Sequence, residues 1–223
     1  MIPEGPSPVS PQRLAGLLAD AALRRPGLRL GLDGPVAGDT AGLADAVADA
    51  LRDRAVPVAR VRADDFVRAR SLRLEHGVDD PDSYLQGWYD LPALRREVLD
   101  PMRPPDGTDG GTARGWLPRL RSADSDRAHR ERRQPATPTT VLVLDGKFLA
   151  RAELADAIDV LVHLDVSAAA RARRVPPDER ARVLPAWDRY LEWYRPADVA
   201  ALLVRYDRPQ HPAVLVAGPV QPR

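Results

Sequence analysis

Residues 28–51 read LRLGLDGPVAGDTAGLADAVADAL, and this stretch decides the fold. Leucine alternates with other residues from Leu28 to Leu32, as it does in a β-strand. The glycine-containing segment Gly34 to Thr40 follows. Apolar side chains then recur at Leu43 and Val47, a spacing of four that indicates an amphipathic helix. The stretch therefore predicts a strand, a tight loop and a helix in direct succession.

The loop of this unit has the glycines of an anion-binding site but lacks the usual cation. In such a unit, backbone N–H groups and the helix N-terminus point at a bound phosphate. The common signature is G-x-x-x-x-G-K-[ST], whose lysine reaches the β- and γ-phosphates and whose hydroxyl binds magnesium. Here Gly34 and Gly38 are one residue closer together than in the signature, Asp39 stands at the lysine position, and Thr40 supplies the hydroxyl. An alignment without a gap puts Thr40 at the lysine position instead, and both alignments lack the lysine.

Asp39 has two interpretations, which differ in their electrostatics. A carboxylate 4 Å from a phosphate charge is repelled by roughly 4 kcal/mol at an effective dielectric constant of 20. At a helix N-terminus without a bound anion, the same carboxylate is favourable by about 0.3–1 kcal/mol. Either the loop binds a triphosphate in spite of Asp39, or Asp39 caps the helix in a loop that no longer holds one.

Strands and helices alternate along the rest of the chain. The central strands are apolar runs without strict period two, as in buried parallel strands, so we expect an α/β protein with a mostly parallel sheet and helices on both faces. The further predicted strands are 56–61, 141–144, 160–164 and, as the last one, 202–206. The further predicted helices are 12–25, one within 84–102, 168–174 and 185–194.

The length of 223 residues suits one domain, which we place at 12–216. Flexible tails are expected at 1–11 and 217–223. Within the domain, the segment 103–138 departs from the core. It begins with a polar, glycine-rich loop and continues with a two-stranded hairpin of residues 116–121 and 129–133.

The composition narrows the classes of function. The chain has no cysteine, which excludes disulfides and thiolate metal sites and fits a cytoplasmic setting. Its apolar runs are too short for a membrane span, and a net charge of +1 argues against a nucleic-acid partner. Among the 33 basic residues, Lys147 is the only lysine. Lys147 either supplies the charge that the loop lacks or extends over the surface into solvent.

Several segments, taken in order, resemble the uridine kinase family of P-loop phosphotransferases. They are 28–51, 62–66 (RADDF), 88–94 (WYDLPAL), 143–149 (VLDGKFL), the arginine-rich 171–182 and 204–207 (VRYD), and together they extend over residues 27–216. The resemblance implies a P-loop NTPase-like three-layer fold with a mostly parallel central sheet, a small β-hairpin excursion and an arginine-rich lid.

The resemblance also implies an activity and a set of site residues. The activity is transfer of the γ-phosphate of ATP or GTP, with Mg²⁺, to a nucleoside or a similar small hydroxyl compound. Asp64 would be the catalytic base, and the arginines Arg171, Arg173 and Arg174 would close on the phosphates. The implied Mg²⁺ ligands are Thr40, Asp64 and Asp145. The implied nucleotide-binding residues are Gly34, Gly38, Asp39, Thr40 and Asp207, and we add Lys147 to them. The implied nucleoside-binding residues are Phe66, Tyr89, Asp90 and Trp116.

Two functions stay open at this point. One is an active kinase, and the other is a catalytically degenerate relative that binds a ligand or partner without phosphoryl transfer. Asp64 and Asp145 also suit strand-ending turns, and the arginines of 171–182 also suit a solvated helix face. Trp187, Tyr190 and Trp193 recur at helical spacing and are expected to pack in the core. The sequence fixes neither the acceptor nor the choice between ATP and GTP, and homo-oligomer formation is left open.

Overall fold

Strands and helices alternate along residues 6–103 and 115–215, which the computed structural model describes. The strands are β1 (Ser7–Pro8), β2 (Arg29–Asp33), β3 (Val58–Arg62), β4 (Val141–Gly146), β5 (Val160–Asp165), β6 (Leu202–Arg205) and β7 (Ala213–Leu215). The α-helices are α1 (Pro11–Ala22), α2 (Thr40–Arg52), α3 (Arg70–Arg73), α4 (Leu91–Leu94), α5 (Ala152–Ala155), α6 (Ala168–Arg174), α7 (Arg180–Tyr194) and α8 (Pro196–Val199). Short 3-10 turns lie at Val36–Gly38, Ala63–Asp65 and Pro177–Glu179, and π-helical turns at Ser83–Gly87 and Arg95–Leu99.

The strands of the described residues form one seven-stranded sheet in the order β1-β7-β6-β5-β2-β4-β3. β2 lies parallel between β4 and β5, β3 pairs parallel with β4, and β6 pairs parallel with β5. β7 and β1 add antiparallel pairs at one edge. The predicted α/β class with a mostly parallel sheet is confirmed. Since β2, β4 and β3 are neighbours, their carboxyl ends meet at one edge, where ligands bind in parallel sheets.

Helices cover both faces of this sheet, because successive side chains of the central strands point to opposite sides. In β4, Leu142 and Leu144 join a core that contains side chains of α4 and α7. Val141 and Val143 join a second core with side chains of α1 and α2. The three-layer arrangement therefore follows from strands that are apolar on both faces.

Helix α7 extends further towards the N-terminus than the sequence predicted, and its aromatic residues divide between core and surface. Trp187 and Tyr190 are buried, which confirms their packing role, whereas Trp193 is exposed. The helix begins at Arg180, five residues before the predicted start at Pro185. Proline favours the first turn of a helix, so Pro185 was a natural starting point. Within the described residues, no helix is both long and apolar enough to cross a bilayer.

The periphery differs from the sequence-based predictions in two respects. The strand at 202–206 is not the last, because the three-residue β7 follows it and pairs with Ser7–Pro8 of the expected N-terminal tail. The expected hairpin pairs antiparallel without a continuous ladder: Trp116 bridges Gln134, Arg121 bridges Ala128, and His129 N donates to Leu120 O. Pro118 lies inside the first predicted strand and has no N–H to donate to a ladder. Residues 1–5, 104–114 and 216–223, which include most of the predicted glycine-rich loop and the C-terminal tail, lie outside the described residues.

Candidate active site

The loop after β2 places Asp39 at the N-cap of α2. Asp39 adopts the left-handed conformation (φ 47°), which aspartate tolerates better than most residues. Its Oδ1 accepts a hydrogen bond from Gly42 N at 3.2 Å. A Cβ atom on Gly42 would lie 2.7 Å from Asp39 Oδ2, so glycine leaves room for the carboxylate. Asp39 therefore caps α2, and its carboxylate lies at the helix N-terminus where such loops bind phosphate.

Gly34 allows the loop to lie close to the start of α2. Its N–H donates to Gly146 O at 3.1 Å, which ties the loop to the end of β4. A Cβ atom at position 34 would lie 2.7 Å from Thr40 Cγ2 and 3.1 Å from Leu164 Cβ. Gly38 is less crowded, since the atom nearest to an added Cβ is Pro35 Cδ at 3.4 Å. The first glycine is therefore required by packing alone, with or without a bound ligand.

Thr40 and Asp145 come together, and an arginine that the sequence analysis missed joins them. Thr40 Oγ1 donates to Asp145 Oδ2 at 3.1 Å. Arg60 Nη1 lies 2.6 Å from Asp145 Oδ1, and Arg60 Nε donates to Asp45 Oδ1 at 2.8 Å. The contact at Asp145 Oδ1 is a charge pair, because this buried atom accepts no aligned hydrogen bond. Burial raises the pKa of Asp145, although Arg60 and Thr40 act in the opposite direction.

A signal for Arg60 was present in the sequence. Arg60 lies within the predicted strand 56–61, between Ala59 and Val61, both of which are buried. A charged side chain in such a strand needs a partner, because charges are almost never fully buried alone. The sequence could not name Asp145 as that partner, since the pairing of β3 with β4 depends on the order of strands in the sheet.

The residues implied as Mg²⁺ ligands do not fit a magnesium shell. Mg²⁺ requires near-octahedral oxygen ligands that are free to bind it. Asp145 faces Arg60, and Asp64 faces Lys147. Across the described residues, no group of three or more histidine or acidic side chains is placed to hold a metal ion. As arranged here, the two carboxylates are not free to bind Mg²⁺, and the implied metal role of Thr40, Asp64 and Asp145 stays a prediction.

Asp64, Lys147 and Tyr89 form a second cluster at the same edge of the sheet. Lys147 Nζ lies 2.7 and 2.9 Å from the two carboxylate oxygens of Asp64. Tyr89 Oη donates to Asp64 Oδ1 at 2.7 Å, and Lys147 Nζ lies 5.6 Å from the centroid of the Tyr89 ring. The Lys147 side chain is 12 % exposed, whereas that of Asp64 is 55 % exposed. The interpretation of Lys147 as a solvent-extended surface residue is wrong.

Charge pairing determines how this cluster titrates. Burial raises the pKa of Asp64, but the Lys147 ammonium and the hydrogen bonds from Lys147 and Tyr89 bring it below its ordinary value. Burial lowers the pKa of Lys147, but Tyr84 and Asp64 bring it above its ordinary value. Burial, with Asp64 next, holds the pKa of Tyr89 well above its ordinary value. Asp64 is therefore a carboxylate at neutral pH that can accept a hydrogen bond, although a lowered pKa weakens it as a base.

Three residues implied for nucleoside binding have other roles. Phe66 and Trp116 are buried in the hydrophobic core, 0 % and 5 % exposed. Asp90 caps α4, because its Oδ1 accepts from Ala93 N at 3.0 Å. Aromatic and acidic residues beside a helix serve packing and capping equally well, so these roles account for the three residues, and their implied nucleoside contacts stay a prediction. Of the four residues implied for nucleoside binding, only Tyr89 donates a hydrogen bond to Asp64.

The implied lid arginines are held by the protein itself. Arg171 is buried and donates to Val166 O and to Asp188 Oδ1, each at 2.6 Å. It connects α6 to α7, so the solvated-face interpretation is wrong for Arg171, and its closing on phosphates stays a prediction. Arg173 is exposed. Arg174 is also exposed but donates to Ala37 O at 2.8 Å, which places it beside the loop.

Asp207 was implied as a nucleotide contact and instead supports the start of α6. Its Oδ1 accepts from Ser167 N at 2.7 Å. Burial raises the pKa of Asp207, but the hydrogen bonds from Ser167 and the nearby charges of Arg205 and Arg174 together bring it below its ordinary value. Arg174 contacts the backbone oxygen of Asp207. Asp207, Ser167 and Arg174 therefore connect the end of β6, the start of α6 and the loop.

A buried polar cluster below the loop was not predicted. Asp33 Oδ2 lies 2.7 Å from His163 Nδ1 and accepts from Tyr190 Oη at 2.8 Å. Asp33 Oδ1 accepts from Leu149 N at 3.0 Å. Tyr190 Oη also accepts from Ala150 N at 2.9 Å. These contacts fix the end of β2, directly before Gly34, to β5, to α7 and to the segment after β4.

Comparisons with known proteins identify the fold. No family model matches the chain, and no curated protein matches it. Among solved structures, a protein from Bacillus stearothermophilus that is provisionally named a uridine kinase has a TM-score of 0.69 at 20% sequence identity, covering 86% of this chain and 97% of its own. The YGR205w protein has a TM-score of 0.61 at 12% identity, with 94% and 100% covered. A protein from Silicibacter sp. TM1040, provisionally named a fructose transport system kinase, has a TM-score of 0.55 at 16% identity, with 82% and 90% covered.

These similarities confirm the predicted likeness at the level of the fold. The chain has the architecture of the uridine kinase-like P-loop kinases, with a mostly parallel sheet and helices on both faces. Sequence identities of 12–20% extend the likeness to the fold and no further. The chemistry must therefore be argued from the residues of this chain.

Proposed function

We propose that this chain is a catalytically degenerate relative of the P-loop kinases that binds a small hydroxyl-bearing ligand beside Asp64 without transferring a γ-phosphate. The observation that carries the proposal is the hydrogen bond of 3.2 Å from Gly42 N to Asp39 Oδ1. This hydrogen bond places the Asp39 carboxylate at the N-terminus of α2, which is the position that a nucleotide phosphate would occupy. At an effective dielectric constant of 20, that carboxylate would repel a phosphate charge 4 Å away by roughly 4 kcal/mol.

Three cations near the loop are paired with carboxylates, which supports the same conclusion, although Arg174 beside the loop contacts backbone oxygens and pairs with no carboxylate among the described residues. Phosphoryl transfer depends on positive groups that stabilise charge on the transferred phosphate. Lys147 forms an ion pair with Asp64, and Arg60 forms ion pairs with Asp145 and Asp45. Arg171 forms an ion pair with Asp188. A triphosphate would have to displace a carboxylate from each of these cations.

The Asp64 cluster supports the ligand half of the proposal. Asp64 is half exposed and offers a carboxylate acceptor, while Lys147 and Tyr89 beside it offer an ammonium and a phenol. A compound with neighbouring hydroxyls, such as a nucleoside or a sugar, can donate to Asp64 and accept from Lys147 at the same time. We therefore propose this class of ligand, of which uridine is the first to test.

A second candidate function is the uridine kinase-like transfer of a γ-phosphate from ATP or GTP. One observation favours it, namely the position of Lys147 directly after Gly146, whose O accepts from Gly34 N of the loop. If a bound triphosphate drew Lys147 away from Asp64, the lysine would supply the missing cation. The same movement would free Asp64 to act as base. The transfer would then depend on Lys147.

Calorimetry and a phosphorylation assay distinguish the two candidates. We titrate the protein with uridine, and separately with ATP or GTP and Mg²⁺, and then measure label transfer from γ-labelled ATP to uridine. Our proposal expects heat with uridine that is lost in Asp64→Asn and kept in the matched neighbour Asp65→Asn, and no transfer. Transfer that disappears in Lys147→Ala would establish the second candidate instead.

The charge of Asp39 can be tested separately from its cap. Asparagine caps helices as well as aspartate does, so Asp39→Asn removes the charge and keeps the geometry. We expect Asp39→Asn to bind ATP more tightly than the wild-type protein in the same calorimetric titration. Equal affinity in the two proteins would show that Asp39 is not what excludes the nucleotide.

A further inference from the structure

Arg60 occupies the position beside Asp145 and Thr40 where P-loop proteins hold a divalent cation. Its guanidinium is held from several sides. Nη1 lies 2.6 Å from Asp145 Oδ1 and donates to Val61 O at 2.6 Å. Nε donates to Asp45 Oδ1 at 2.8 Å, and Nη2 donates to Ala41 O in the first turn of α2 at 3.3 Å. Only 12 % of the side chain is exposed, so the guanidinium is an integral part of this edge of the sheet.

We infer that Arg60 replaces the divalent cation of this fold, so that Asp145 and Thr40 hold a guanidinium in place of Mg²⁺ and the site is indifferent to divalent metals. Charge supports the replacement, because Arg60 neutralises the buried Asp145 carboxylate that a metal would otherwise neutralise. Geometry supports it as well. Thr40 Oγ1 donates a hydrogen bond to Asp145 Oδ2, so the hydroxyl and the carboxylate are already partners of each other.

A metal ion could not bind beside Arg60 in this arrangement. It would lie within a few ångströms of the guanidinium and would be repelled by it. If the guanidinium moved away, it would lose its contacts with Asp145, Asp45 and two backbone oxygens together. The inference is independent of the proposed ligand at Asp64, because it concerns metal affinity in the absence of any nucleotide or nucleoside.

Removal of the guanidinium should therefore uncover a latent metal site. Arg60→Gln leaves the Asp145 carboxylate, the Thr40 hydroxyl and the Asp45 carboxylate around the vacated volume, and hard divalent cations prefer such oxygen ligands. Arg62→Gln is the matched control. Arg62 follows on the same strand and contacts Asp45 Oδ2 at 3.3 Å, but its side chain is 52 % exposed.

The test is a titration of the protein with Mn²⁺ in the absence of nucleotide, in which electron paramagnetic resonance measures the concentration of free Mn²⁺. We expect no Mn²⁺ binding at this site in the wild-type protein or in Arg62→Gln. Arg60→Gln should gain affinity by about tenfold or more, and Arg60→Gln/Asp145→Asn should lose that gain. Circular dichroism checks that each variant is folded, and the wild-type titration gives an answer even if Arg60→Gln does not fold.

Two results would overturn the inference. One is Mn²⁺ binding by the wild-type protein that Asp145→Asn abolishes, because the metal would then coexist with Arg60. The other is a folded Arg60→Gln variant whose Mn²⁺ affinity equals that of Arg62→Gln. Neither result depends on ATP or uridine binding, so failure of this inference is distinguishable from failure of the proposed function.

Discussion

The Nζ atom of Lys147 lies 2.7 Å from Oδ1 of Asp64, although 83 residues separate the two in the chain. The contact joins the end of β4 to the turn after β3, two neighbouring parallel strands. It pairs the only lysine of the protein with the carboxylate for which the resemblance implies the role of base. The two side chains therefore function as a unit, and a change in one alters the charge environment of the other.

The first prediction concerns the pKa of Asp64. In Lys147→Met the ammonium is gone while burial, which raises the pKa, stays, so we expect the pKa of Asp64 to rise from its lowered value. Titration of the Asp64 carboxyl carbon by NMR measures it. Lys147→Arg keeps the positive charge and should leave the pKa low. An unchanged pKa in Lys147→Met would mean that the ion pair does not form in solution.

The second prediction follows from the same lowered pKa. A carboxylate whose pKa is lower in the folded than in the unfolded protein stabilises the fold above the unfolded pKa. That contribution is lost as the pH falls through the folded pKa, which here lies below 3.8. Asp64→Asn should therefore lower the free energy of unfolding at neutral pH, and its effect should shrink in strong acid.

Urea denaturation of wild type and Asp64→Asn at a series of pH values measures this dependence. Asp49→Asn is the control, because Asp49 is 70 % exposed and pairs only with the neighbouring Arg52 among the described residues. Its effect on the free energy of unfolding should be small at every pH. A difference between wild type and Asp64→Asn that stays constant across the acid range would contradict the prediction.

The third prediction concerns the cap of α2. Asp39→Ala should lower the free energy of unfolding by about 0.5–2 kcal/mol, because Gly42 N loses its partner. The left-handed backbone adds to this loss, since alanine tolerates φ 47° less well than aspartate. Asp39→Asn keeps both properties and should be nearly neutral in urea denaturation. A loss in Asp39→Asn as large as in Asp39→Ala would point to the charge and not to the cap.

The fourth prediction tests the Arg60–Asp145 pair by a double-mutant cycle. Removing one partner leaves a buried charge, so Arg60→Gln and Asp145→Asn should each lower the free energy of unfolding by about 3–5 kcal/mol. The double variant should lose less free energy of unfolding than the sum of the losses in the two single variants. Arg62→Gln, with its exposed side chain, should cost less than about 1 kcal/mol. Strict additivity in thermal or urea denaturation would mean that the two side chains do not interact.

The fifth prediction concerns the buried cluster below the loop. Tyr190→Phe removes one hydrogen-bond donor from the fully buried Asp33 carboxylate and should cost about 1–3 kcal/mol of unfolding free energy. Tyr194→Phe, one turn further along α7, is the control because Tyr194 is only partly buried. Equal unfolding free energies for the two variants in urea would show that the Asp33 contact does not stabilise the fold.

The pattern of apolar residues was sufficient to predict the class of fold. Runs such as Val141–Leu144 can be buried on both faces only in the interior of a layered protein, and the spacing of Leu43 and Val47 suits a helix against that layer. The sequence could also place Thr40 and Asp145 at one edge of the sheet, where residues after parallel strands meet, but not their contact, which depends on the pairing of β2 with β4. The partners of Arg60 and Arg171 were not within reach, since they depend on strand order and on how helices pack across the sheet.

The sequence alone determined that a strand, a glycine loop and a helix follow one another, and that the loop carries Asp39 where a lysine is usual. These are local properties, fixed by side-chain spacing and residue type. Tertiary structure decided which cation faces which carboxylate. Arg60 meets Asp145 and Lys147 meets Asp64 because β3 pairs with β4 in one particular register, and electrostatic energy depends on distance in space and not along the chain.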